Sequence, residues 1–273
     1  MYDAKRGVVV APEDVRSKGA DMVATEKTAQ DQIELNGVRV VMVMNRKGGC
    51  GKSTLVKGLA SAAADLGENV TIIDTDNNKG CLEWMLNAKD QGNWNSSISV
   101  IHSLDTEEIK DIIAQIHGQP DQEHLILIDT KGGGDVGLDE LAGKAHLVVV
   151  PTFLSRSDVL DTMQTVAWHE RLRKRVANPD EIPPVRVLIG RNPTTRSEAE
   201  EVAYQEIMNT MKVIPHPVNN RMSYVRMDLD GPLGPLRDRA INPGAALHIS
   251  KCLAEMVGTL RAINKITRSN GDY

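Results

Sequence analysis

From residue 38 onward the chain alternates short apolar runs with longer segments whose apolar residues recur at helical spacing. The apolar runs fall at 38–44, 70–74, 98–102, 125–129, 147–151, 185–189 and 213–214. Helical patterns lie between them, at 52–65, 80–88, 106–117, 138–143, 158–175 and 197–211. Val70-Thr71-Ile72-Ile73 is β-branched, and Leu125-Ile126-Leu127-Ile128 is apolar without a break, as expected of a strand buried on both faces. This alternation predicts an α/β fold, a doubly wound, mostly parallel sheet flanked by helices. Ligands of such a sheet sit beyond the carboxyl ends of its strands.

The two ends of the chain read differently. Residues 1–37 are polar and charged with no sustained period, and predict an extension with a short helix near 21–35. Residues 215–239 are rich in Pro, Gly and Arg, with a short helix expected at 219–226. A long terminal helix is expected at 245–267, with Leu247, Ile249, Leu253, Met256, Val257, Leu260 and Ile263 on or near one face. The domain is therefore drawn from 38 to 268, followed by a tail at 269–273.

Composition narrows the function classes. The chain has 273 residues and is 41% apolar, enough for one large α/β domain with a real core. Its net charge of −5 excludes a globally basic nucleic-acid binder, so any DNA contact needs a local patch. Aromatics make up 3%, which argues against stacking platforms for single strands. Cys50, Cys81 and Cys252 lack pairing or metal-ligand spacing, which points to a reduced cytoplasm and no zinc site. No apolar run approaches the roughly 20 residues that span a bilayer, and no secretory signal opens the chain, so membrane insertion is not expected.

The densest chemistry is Asn45-Arg46-Lys47-Gly48-Gly49-Cys50-Gly51-Lys52-Ser53-Thr54, set between an apolar run and a helical pattern. Strand, glycine-rich turn and helix in that order make a phosphate-binding loop. Its glycines let backbone N–H groups converge on phosphates, and the helix N-terminus adds partial positive charge. In such a loop Lys52 reaches the β- and γ-phosphates and Ser53 holds Mg²⁺. Two more strands end in acid: Asp74-Thr75-Asp76-Asn77-Asn78 and Asp129-Thr130-Lys131-Gly132-Gly133-Gly134. An apolar strand ending in Asp behind a P-loop is placed to serve the Mg²⁺ shell. Asp74 and Asp76 also suit helix N-caps. Cys50 is either a small tolerated side chain or a thiol activated at a helix N-terminus.

The usual loop pattern has glycine where Arg46 stands, and Lys47 follows it. That departure, Lys47-Gly48-Gly49-Cys50-Gly51-Lys52-Ser53, is the deviant Walker A signature, and the chain resembles the ParA/MinD family of P-loop ATPases over 38–266. Asn77-Asn78 replaces the family's Pro-Gln. Lys131-Gly132-Gly133 and Pro151-Thr152-Phe153-Leu154 followed by Asp158 look like the VirC-type accessory ATPases of conjugative DNA transfer. The resemblance implies ATP and Mg²⁺, with Lys47, Gly48, Gly49, Cys50, Gly51, Lys52, Ser53 and Thr54 around the phosphates. It implies Ser53, Asp74 and Asp129 at the metal, and Asp76 orienting or deprotonating the attacking water. Lys47 would reach the opposite protomer's phosphates in an ATP-bound homodimer, adding the cation that a transferring phosphoryl group needs. Lys47, Lys52 and Asp76 are thus the catalytic set. Base contacts are expected from Arg191 and Asn192 or from Ile214 and Pro215.

Two basic clusters remain. Arg173, Lys174 and Arg175 end the 158–175 helix, and Lys251, Arg261, Lys265 and Arg268 lie on the terminal one. They read either as solvated helix ends, where cations suit the C-terminal turn, or as patches for non-specific double-stranded DNA completed on dimerisation. The resemblance adds a ParB-like or other ATPase-activating partner and a cytoplasmic, nucleoid-associated location. Four roles follow: segregating or positioning DNA or another cargo, VirC-type accessory action in DNA transfer, MinD-like membrane cycling, and a metabolic ligase or nitrogenase-type reductase. The third lacks bulky apolar residues on the last helical turns, and the fourth lacks cluster-binding cysteines.

Overall fold

A computed structural model describes residues 37–119, 123–133 and 137–269, without the side chains of Arg268 and Ser269. The helix expected at 21–35, Gly134, the Arg268 side chain and the tail from 270 lie outside the described residues.

Six strands form one sheet: β1 (Val38–Val43), β2 (Asn69–Asp74), β3 (Ile98–His102), β4 (His124–Asp129), β5 (Leu147–Thr152) and β6 (Val185–Ile189). Every pairing is parallel and the order is β3-β2-β4-β1-β5-β6. The nine α-helices among the described residues are α1 (Lys52–Asp65), α2 (Gly80–Asp90), α3 (Thr106–His117), α4 (Leu138–Ala142), α5 (Arg156–Arg175), α6 (Glu198–Thr210), α7 (Met222–Asp230), α8 (Leu233–Asp238) and α9 (Pro243–Ser269). The doubly wound sheet expected from the alternation is the observed architecture. Val41 and Val43 of β1 face one core layer with α1, α2, α7, α8 and α9, while Val40 and Met42 face the other with α3 to α6. Strand side chains alternate in direction, so an unbroken apolar run fills both layers at once. The terminal helix seats on α1, where a Cβ on Gly58 would lie 2.8 Å from the Met256 methyl. No helix among the described residues is long and apolar enough to cross a membrane.

The late elements depart from expectation. The strand expected at 213–214 is a single parallel bridge between Val187 and Val213. Ile214 N–H donates to Val187 O at 2.9 Å, and Pro215 then supplies no N–H to extend the ladder. The helix expected at 219–226 starts at Met222, because Asn219 is held extended in a bridge to Asn192. The terminal helix starts two residues early, at Pro243, with Asn242 Oδ1 accepting from Ala245 N–H at 2.9 Å. Leu247 stands 55% exposed, so the buried face begins at Ile249.

Candidate nucleotide site

The strand order builds the site. β4 lies between β2 and β1, and its register sets Asp129 opposite Asp74 on one side and Val43 on the other. Both acids thus stand at the carboxyl edge of the sheet beside the loop that leaves β1. That loop is held from below by Asn45, which is buried and donates to Pro151 O at 2.9 Å while its Oδ1 accepts from Lys47 N–H at 3.0 Å. Gly49 and Gly51 have φ of +75° and +89°, the left-handed region glycine tolerates. Lys52 is buried at the start of α1, and its Nζ donates to Lys47 O at 3.0 Å, across the mouth of the loop.

Gly132 explains the glycines of the second acidic motif. A Cβ there would lie 3.1 Å from Gly48 N, and Gly133 N–H donates to Arg46 O at 2.8 Å. The loop after β4 therefore lies directly on the P-loop.

The acids differ in their partners. Asp74 is fully buried; Oδ1 accepts from Asp76 N–H at 3.1 Å, and Oδ2 accepts from the N–H groups of Cys81 at 2.8 Å and Leu82 at 3.3 Å. The N-cap position of α2 is Lys79, and Asp74 accepts from two N–H groups in the first turn of that helix from the end of β2. The structure brings it beside Asp129 but engages both of its oxygens with the backbone. Asp129 Oδ2 accepts from the Cys81 thiol at 3.2 Å, while its buried Oδ1 has no partner. Burial pushes the Asp129 carboxyl up to about 6, with Ser53 and Lys52 opposing the shift. A buried carboxylate that meets only a thiol and a serine hydroxyl, with one oxygen left unpaired by the protein, fits a hard divalent cation. Asp76 is half-buried, with Oδ1 accepting from Asn78 N–H at 2.9 Å.

Lys47 points away from its own loop. Its Nζ lies 2.9 Å from Asp158 Oδ1 and 3.8 Å from Asp161 Oδ2, and donates to Ser157 Oγ at 3.0 Å, all on α5. The Asp158 hydrogen bond raises its pKa. Burial likewise raises the Cys50 thiol, opposite to what a reactive thiolate requires and in keeping with a small tolerated side chain.

A cleft of about 450 Å³ opens beside the loop, lined by Cys50, Gly51, Thr54, Phe153, Gly190, Arg191, Tyr224, Val225 and residues 218–221. The Arg191 guanidinium lies 4.7 Å from the Phe153 ring centroid, and Arg191 is itself left-handed at φ +46°. Phe153 also closes on Gly51 and Gly190, where a Cβ would come within 3.3 Å and 3.2 Å of its ring. Of the expected base contacts only Arg191 lines this cleft. Asn192 lines a neighbouring polar cleft with Arg196 and Arg221. Ile214 is packed in the core and Pro215 is exposed; neither lines the cleft, because the bridge to Val187 turns that stretch inward. Residues 218–221 line it instead, and neither they nor Asn45 and Phe153 were given a place in the site by the sequence. A lone Phe on a strand-to-helix loop was the available signal.

The basic clusters stay apart from this site. Arg173 pairs with Asp180 at 3.4 Å and Arg175 with Asp139 at 2.8 Å, leaving Lys174 exposed between them. Lys251, Arg261 and Lys265 are exposed along α9.

The comparisons agree with this geometry. The chain is 26% identical over 189 residues to Protein virC1 of Rhizobium radiobacter, covering 68% of this chain and 79% of that protein. Among solved structures it is similar to a MinC:MinD cell division protein complex from Aquifex aeolicus, at TM-score 0.58 and 18% identity, covering 81% of this chain and 96% of that one. It is also similar to a putative plasmid partition protein from Borrelia burgdorferi bound to AMPPNP, at TM-score 0.55 and 13% identity, covering 80% and 97%. The fold is thus that of the ParA/MinD P-loop proteins. Within it, the VirC1 protein family model matches residues 38–267, from the first strand to the end of the terminal helix, and the chain belongs to the VirC1 family.

Proposed function

We propose that this chain is an ATP-switched ATPase that binds DNA without sequence preference and brings it to a conjugative transfer machine. Family membership favours that role over plasmid or chromosome segregation, the other reading of the same switch. The observation that carries the nucleotide reading is the juxtaposition at the sheet edge. A glycine-rich loop with a buried lysine lies beside a carboxylate whose inner oxygen has no donor.

In this reading Lys52 exchanges its loop carbonyl for the β- and γ-phosphates, and backbone N–H groups of residues 48–54 surround them. Ser53 and Asp129 hold Mg²⁺, with Asp74 fixing the adjoining loop. The metal, when bound, neutralises phosphate charge. Asp76 orients the attacking water. The base enters the cleft beside Phe153 and Arg191. Lys47 leaves Asp158 to meet the phosphates of a second copy, so hydrolysis depends on a dimer and is slow without a partner protein. Dimerisation doubles the surface formed by Lys174, Lys251, Arg261 and Lys265, which suits phosphate backbones.

Calorimetry with Mg²⁺–ATP and a phosphate-release assay test this directly. Binding that persists unchanged in Lys52→Ala would overturn the site assignment.

A further inference from the structure

Cys81 opens α2 with both of its donors directed at the acidic motifs. Its backbone N–H donates to Asp74 Oδ2 at 2.8 Å, and its thiol donates to Asp129 Oδ2 at 3.2 Å. The side chain is fully buried, so no water competes for either bond. A thiol is a weak donor, and a small apolar side chain would also pack here. What separates the two readings is the carboxylate it meets. Asp129 is 1% exposed; Oδ2 is engaged by Cys81, and Oδ1 has no partner. A carboxylate tethered through one oxygen presents the other in a fixed direction. Through its N–H the same residue fixes Asp74, whose second oxygen accepts from Asp76 N–H at 3.1 Å. One residue therefore joins the end of β4 to the loop that carries Asp76.

Building on the nucleotide-site reading above, we infer that Cys81 is a positioning residue. It aims Asp129 at the Mg²⁺ of the bound nucleotide and ties that aim to the placement of the Asp76 loop. Cys81 itself touches neither nucleotide nor metal. Removing its donor leaves phosphate capture by the P-loop intact and loosens the metal, as happens when the outer partner of a ligating carboxylate is lost.

The test is a titration of the full chain with N-methylanthraniloyl-ADP, in EDTA and at graded Mg²⁺, read by fluorescence. Wild type, Cys81→Ala, Cys81→Val and Cys81→Ser are compared. Equal affinities in EDTA are expected, which also reports that the variants are folded. Half-saturating Mg²⁺ is expected to rise on the order of 10-fold in Cys81→Ala and Cys81→Val. Cys81→Ser keeps a donor and is expected to recover most of the loss. A Val variant with the wild-type Mg²⁺ dependence overturns the inference, because packing alone would then suffice. Wild type that binds no nucleotide in either condition overturns the site reading itself, a separate failure.

Discussion

Lys47 Nζ sits 2.9 Å from Asp158 Oδ1, so the signature lysine of the loop is paired inside its own protomer. A lysine needed across a dimer must first leave this partner. Asp158 is held in place by Ser155, whose Oγ accepts from its backbone N–H at 3.2 Å, so the acceptor is preset before any ligand arrives. Asp158→Asn keeps the shape and removes the charge. It is expected to strengthen ATP-dependent dimerisation several-fold, measured by analytical ultracentrifugation, whereas Lys47→Ala is expected to abolish hydrolysis. An Asn variant that dimerises less well than wild type would count against the pairing as a restraint.

Gly132 offers a packing test. Its φ is not in the left-handed region, so Gly132→Ala acts through the close approach to backbone atoms, 3.1 Å to Gly48 N and 3.2 Å to Gly48 Cα. Neither backbone can yield without moving the loop. The variant should lose about 1–3 kcal/mol in urea melts and bind nucleotide more weakly. Full retention of both would mean that the loop after β4 is free to retreat.

Much of this site was legible in the sequence because its parts lie at strand ends. Apolar runs fix where β1, β2 and β4 stop: Asp74 and Asp129 are the last residues of β2 and β4, and the loop after β1 leads to Lys52 at the start of α1. The cleft beside Phe153 was not legible. Arg191 was found because it follows β6, but residues 218–221 enter through an irregular bridge that carries no periodic signal. Ile214 was expected near the base through the family resemblance, yet one hydrogen-bonded clasp on Val187 sends it into the core. The division of labour between Asp74 and Asp129 depends on which oxygens meet backbone donors, and spacing alone does not encode that.

Stability should fall in mild acid. Burial lowers the pKa of His124 and His169 below the ordinary 6.5, and the more exposed His146 shifts the same way through partial desolvation beside His117 and Arg39. His146 Nδ1 accepts from Val40 N–H at 2.9 Å, and His169 Nδ1 is buried without a partner. The unfolded chain binds protons first as pH drops through 6.5, so these groups favour unfolding below that value and are neutral above it. Thermal melts between pH 7.5 and pH 5 should show a falling midpoint, with a shallower fall in His169→Gln. A midpoint that rises on acidification would contradict this sign.

DNA binding has a charge-reversal test. Arg261→Glu with Lys265→Glu should weaken binding to random duplexes in the presence of ATP, and fluorescence anisotropy at several salt concentrations reads it. If all four side chains of a dimer meet phosphates, the slope of log affinity against log salt becomes shallower by about 3–4. Unchanged binding would move the DNA surface elsewhere.

The place of β4 between β2 and β1 has a consequence for how the protein is made. A nascent chain that has emerged through residue 119 already carries the phosphate loop and Asp74, yet the strand that joins β1 to β2 has not emerged. Until it arrives, β1 and β2 lack the strand that pairs with both, and unpaired ladder edges are the kind of surface that recruits other chains. Pairings so distant in sequence also form slowly. Truncations that stop before Asp129 are therefore expected to yield aggregates that bind no nucleotide, checked by gel filtration and calorimetry.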